Sequence, residues 1–157
     1  MRSTIEGLLT IAVLGSAVVY GTDVFCAMVL RPALASVDDE TLVKTMGNVH
    51  RIADRRMPIP GAAGWIATGL AAATALLDGQ RPVFLLATLA FVFLAAWMAI
   101  YLTISAPINK QLSTAPNHPT GVTARELQTR WDSVIYARAT LQTHALLSLC
   151  LALLTAH

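Results

Sequence analysis

Residues 82–109 read PVFLLATLAFVFLAAWMAIYLTISAPIN, 28 positions without a charged side chain. A helix rising ~1.5 Å per residue crosses a ~30 Å hydrocarbon layer in about 20 residues, so this run is long enough with several to spare. Three other stretches behave alike. Positions 7–30 are apolar apart from Asp23, positions 57–77 carry no charge, and positions 134–156 are interrupted only by Arg138 and His144. A soluble four-helix bundle would place polar residues at every third or fourth position, and these runs do not. The pattern predicts an all-α fold, an integral membrane four-helix bundle with spans at about 7–30, 60–78, 82–106 and 134–156, as one domain over 1–157.

Composition agrees. The chain is 55% hydrophobic and 13% charged, against about 25% charged in soluble domains. That balance excludes disorder, a coiled coil and a nucleic-acid-binding surface, and a net charge of +2 is too small to imply a polyanionic partner. The first run is read as a retained span and not a cleaved leader: its basic end is only Arg2, Glu6 follows closely, and no clear small-x-small cleavage site comes after it.

Lysine and arginine set the expected orientation. Arg31, Lys44, Arg51, Arg55 and Arg56 lie between runs one and two, and Lys110, Arg125, Arg130 and Arg138 lie between or just inside runs three and four. Only Arg2 and Arg81 fall on the other side. The positive-inside rule then places both long loops in the cytoplasm and both termini outside. In that frame Cys26 and Cys150 differ in depth by roughly 20 Å, too far for a disulfide. Neither belongs to a C-x-x-C pair, which argues against a disulfide oxidoreductase linked to quinones.

The first loop predicts an additional amphipathic helix. Ser36 three residues before Asp39 reads as its cap, and Leu42, Met46, Val49 and Ala53 fall on one face, suited to a membrane surface or to the mouth of the bundle. In the second loop Pro107, Pro116 and Pro119 predict an irregular start, and Thr123 with Glu126 predicts a capped helix running into the fourth span.

Charges within the spans carry the functional reading. Asp23 lies roughly 10 Å, and Arg138 roughly 9 Å, below the same end of the bundle. Each alone costs about 2.5–3.5 kcal/mol in the hydrocarbon, so both should face inward as partners. A simple ionic lock would tolerate exchange of the two residues. Tyr20 shares the face of Asp23, Trp131 and Gln142 share that of Arg138, and Tyr101 and Thr103 of the third span complete an expected polar cluster. His144 is expected as a hydrogen-bonded core histidine and His50 as a proton acceptor. Haem or copper held through His50 and His144, or a metal joined by His118, is the alternative, without H-x-x-x-H or Glu-x-x-His spacing to mark it.

Four motifs occur in order: V-L-R-P-A-L at 29–34, a methionine-containing amphipathic helix, A-P-I-N-K-Q-L at 106–112 and R-W-D-S-V-I-Y-A-R at 130–138. Over nearly its whole length the chain resembles the anthrone oxygenase-like family of four-span membrane proteins. Pro32, Asn109, Trp131 and Arg138 match positions that family usually keeps. His50 stands where it commonly has Asn, Val134 replaces a second Trp, and Tyr136 departs from an Asn- or His-bearing pattern. The resemblance implies a bacterial inner-membrane protein that oxidises a hydrophobic phenolic or polycyclic substrate with O2 as co-substrate and no other cofactor. In that reading Arg138, Asp23, His50, Asn109 and Trp131 are catalytic, and Tyr20, Tyr101, Gln142 and His144 bind substrate. The expected partners are the lipid bilayer and the hydrophobic small molecule. A homo-oligomer is a further expected assembly, and a noncatalytic subunit would find its partner through small-residue faces such as Gly15 with Gly21 or Gly61 with Gly64. A haem- or metal-binding redox protein, a noncatalytic membrane subunit and a small-molecule exporter are the alternatives from other classes.

Overall fold

A computed structural model describes residues 1–114 and 123–156; Pro116, Pro119 and His118 lie outside the described residues. The described chain forms five helices: α1 (Arg2–Ala35), α2 (Asp39–Arg56), α3 (Pro58–Leu77), α4 (Arg81–Thr114) and α5 (Ala124–Thr155). By length and composition α1, α3, α4 and α5 can each cross a membrane.

Two of these helices run further than the sequence predicts. α1 passes Pro32 to reach Ala35, and α4 passes Pro107 to reach Thr114, so the expected irregular start of the second loop at Pro107 is corrected. The physical reason is the same in both. A proline in mid-helix lacks an N–H and collides with the carbonyl four residues back. Here a widened π-turn, Cys26–Leu30 in α1 and Tyr101–Ser105 in α4, precedes each proline. The amide of Arg31 donates to the Cys26 carbonyl and that of Ala106 to the Tyr101 carbonyl, each five residues back. Such bulges gather at functional sites.

The four long helices close into a ring, with α1 packed on α3 and α5, and α4 packed on the same two. The α3–α4 turn is a Schellman cap: Gly79 sits at φ +73 and Gln80 N–H donates to the Ala75 carbonyl at 2.9 Å. Where α1 crosses α3, the backbones nearly touch. A Cβ on Gly15 would lie 2.6 Å from the Pro60 oxygen and 2.7 Å from the Gly64 nitrogen. Gly15 and Gly64 therefore serve contacts within the chain.

α2 caps one end of the ring. Its N-cap is Asp38, whose carboxylate accepts from Thr41 N–H at 2.8 Å. The expected cap Ser36 instead ends α1, donating to the Ala33 carbonyl at 2.8 Å. α2 packs on the last turns of α4, the first turns of α5 and the start of α3, burying Leu42, Met46, Gly47 and His50. Val49 and Ala53, expected on that buried face, sit beside it, Val49 exposed and Ala53 half-buried. Arg125 of α5 fixes the α1–α2 link by donating to the carbonyls of Leu34 at 2.9 Å and Val37 at 2.7 Å. The capping box of Thr123 and Glu126 forms as the spacing predicts.

Apolar packing divides into two layers. One gathers Ile5, Leu9, Ala71, Ala87 and Leu149, and the other Leu34, Leu42, Met46, Leu112 and Ile135. Buried polar residues Asp23 of α1, Ser105 of α4, and Arg138 and Gln142 of α5 fall between these layers.

Candidate functional site

A cavity of about 440 Å³ lies between the two layers, walled by α1, α2, α3, α4 and α5. Asp23 and Arg138 line it, and Arg138 Nη2 donates to Asp23 Oδ1 at 2.7 Å. The pair is nearly out of contact with solvent, 2% and 5% exposed. It is also asymmetric. Asp23 Oδ2 accepts from Trp97 Nε1 at 3.0 Å and from Gln142 Nε2, while Arg138 Nη1 donates to Ser105 Oγ at 2.9 Å. A buried ion pair holds only if the remaining lone pairs and protons also find partners, and these neutral groups supply them. Three rings surround the guanidinium: its Cζ is 5.7 Å from the centre of Trp97, 5.6 Å from Tyr101 and 5.4 Å from Trp131. Those distances are within cation–π range. The π-turn of α4 carries two of these groups, Tyr101 and Ser105, into the site.

A second chain of hydrogen bonds runs along the wall. Trp131 Nε1 donates to Asn109 Oδ1 at 3.0 Å, and Asn109 Nδ2 donates to Asp54 Oδ1 at 3.0 Å. The Tyr101 hydroxyl donates to the same Asp54 oxygen at 3.3 Å. His50, one helical turn before Asp54, is buried against the Trp131 ring at 5.7 Å between centres. Its Nε2, like Arg138 Nε, is buried without a partner among the described residues. Polar atoms left in that state cost roughly 1–3 kcal/mol each and call for an explanation.

Burial pushes the His50 imidazole down to about 4, with the negative charge of Asp54 opposing and the positive charge of Arg138 reinforcing the shift. His50 is thus neutral at pH 7. Between its unfolded value near 6.5 and about 4, the unfolded chain binds a proton that the folded chain refuses. Stability is therefore complete above pH 6.5 and falls as pH drops through that window, by about 3 kcal/mol at the lower end. Thermal unfolding in detergent between pH 7 and pH 4.5 is expected to lose less for His50→Gln than for wild type. Equal slopes would contradict the assignment.

Of the residues singled out in the sequence, Asp23, His50, Tyr101, Asn109, Trp131 and Arg138 line this one cavity. Gln142 stands behind Asp23 as its buried donor. The others do not join. Tyr20 is half-buried and outside the lining, and Thr103 is exposed, its hydroxyl donating to the Ala99 carbonyl at 2.6 Å. His144 is exposed and not a core histidine; its Nδ1 lies 2.8 Å from the Thr140 carbonyl and its ring packs against Phe93. It therefore shares no site with His50, and joint haem or copper ligation by the two does not fit. Cys26 is buried, Cys150 exposed, and both are free thiols. Sequence reasoning missed Trp97, Ser105 and Asp54. An indole N–H in an apolar run has to find an acceptor, which was the available signal for Trp97.

Comparison of the chain with family models, with curated proteins and with solved structures finds no match.

Proposed function

We propose that the chain is an integral membrane protein that binds a flat, hydrophobic phenolic or polycyclic molecule in this cavity and oxidises it with O2. The observation that carries the reading is an apolar cavity ending on a cation that is ion-paired, ringed by aromatic faces and nearly dry. Length and apolarity of α1, α3, α4 and α5 support the four spans. The excess of Lys and Arg supports cytoplasmic long loops, with α2 as the amphipathic helix of the first, and external termini. A bacterial inner membrane is the proposed location, and the resemblance to anthrone oxygenase-like proteins supports both the place and the chemistry.

The proposed reaction converts a benzylic CH2, flanked by aromatic rings that conjugate it to a carbonyl as in an anthrone, to a second ketone: substrate plus O2 gives quinone plus water. A base removes one C–H proton, leaving the electron pair delocalised onto the substrate's carbonyl oxygen. Arg138 lies where it can hold that oxyanion, and charge stabilisation in a water-poor site is worth more than in bulk water. The anion adds O2, the peroxide anion is protonated, and loss of water with the second C–H gives the ketone. Trp97, Tyr101 and Trp131 offer faces for a planar substrate to stack on.

All three tryptophans of the chain, Trp65, Trp97 and Trp131, line the cavity, so intrinsic fluorescence reports on its occupancy. Titrating the detergent-solubilised protein with an anthraquinone is expected to give saturable, single-site quenching. A linear decline without saturation, as from partition into detergent, would refute binding.

A further inference from the structure

We propose that Asp54 is the base that takes the substrate proton. This rests on the reading of the cavity as a site where a flat carbon acid is oxidised. Asp23, the carboxylate that the sequence brings forward, is poorly placed to act as that base, because both its oxygens are engaged, by Arg138 on one side and by Trp97 and Gln142 on the other. Asp54 differs in each respect. It lines the cavity and is half-buried. No cation among the described residues pairs with it. Both of its donors, the Tyr101 hydroxyl and Asn109 Nδ2, act on Oδ1, and Oδ2 has no partner among the described residues.

The donors also fix its aim. Tyr101 belongs to the π-turn of α4, Asn109 to the turns beyond Pro107, and Asn109 is itself held by Trp131 of α5. A carboxylate on the capping helix is thus oriented by two of the long helices, and a general base needs that fixed geometry before it needs a favourable pKa. His50, one turn away, has a neutral ring whose basicity burial has lowered. In the step itself a C–H bond of the substrate breaks and an O–H bond forms on Asp54. The electron pair stays on the substrate, delocalised toward Arg138. After O2 has added, Asp54 returns the proton to the peroxide anion, which leaves the carboxylate ready for another turnover.

Proton abstraction can be read without oxidation. Full-length protein in detergent, held anaerobically in D2O with anthrone, is followed by NMR for exchange of the benzylic hydrogens. Wild type is expected to exceed the buffer rate by about 100-fold or more, the usual scale of general base catalysis. Asp54→Asn should fall to the buffer rate while anthraquinone still quenches tryptophan fluorescence, since the amide oxygen can accept from Tyr101 and Asn109. Asp54→Glu, which keeps a carboxylate, should retain measurable exchange. Exchange by Asp54→Asn at the wild-type rate would overturn the proposal, as would wild type that binds without exchanging or Asp54→Glu no better than buffer. Wild-type exchange without quinone on admitting O2 would support Asp54 and refute the oxidation.

Discussion

Arg138→Met is expected to destabilise the protein by about 3–5 kcal/mol, the usual cost of removing one partner from a buried ion pair. Asp23, 2% exposed, would keep its hydrogen bonds from Trp97 and Gln142 but lose the only cation it contacts among the described residues. Asp23→Asn together with Arg138→Met should recover much of the loss, because replacing both members of such a pair is often nearly neutral. Exchanging the residues, Asp23→Arg with Arg138→Asp, should not. A simple lock would accept that exchange, but the indole of Trp97 and the amide of Gln142 donate toward position 23, and an arginine there could accept neither. Thermal or denaturant unfolding of the four variants in detergent checks the series.

Gly15→Leu should be as damaging, and for a purely steric reason. Its Cβ would sit 2.6 Å from a carbonyl oxygen and 2.7 Å from an amide nitrogen of α3, and backbone cannot rotate away as a side chain can. The expected cost exceeds the ~1–3 kcal/mol of ordinary overpacking. Gly21→Leu, on the same helix with nothing within 4 Å of its Cβ, is the matched control and should be tolerated. Loss of a monodisperse species for the first variant alone would confirm that α1 and α3 close on this crossing.

The four long helices were legible in the sequence because apolar runs of about 20 residues, two of them charge-free and two broken by a single Asp or Arg, have few other stable forms. The Asp23–Arg138 contact was legible for a related reason: two matching depths and a high cost of facing lipid leave little choice. Pro107 misled, and the first span, set at about 7–30, stopped short of Pro32. Proline signals a helix end in general, and only the widened turn before it, which has no sequence signature, lets α1 and α4 continue. Asp54 was hidden among Arg51, Arg55 and Arg56, a stretch that reads as a solvated charged face. His144 was misplaced although spacing could have set it apart. The buried positions of α5 run Arg138, Gln142, Ala145 and Leu149 at helical intervals, and residue 144 falls off that line.

Oxygen uptake by the purified protein, with anthrone as substrate and quinone absorbance recorded together, tests the central claim most directly. Wild type should form quinone well above the buffer rate and consume one O2 for each quinone. Arg138→Lys, which keeps the charge but loses the planar fork, should remain folded and bind anthraquinone while its rate falls by roughly 10²–10³-fold, as when one oxyanion donor is removed. Quinone formation at the buffer rate with wild type, or an undiminished rate with Arg138→Lys, would contradict the account.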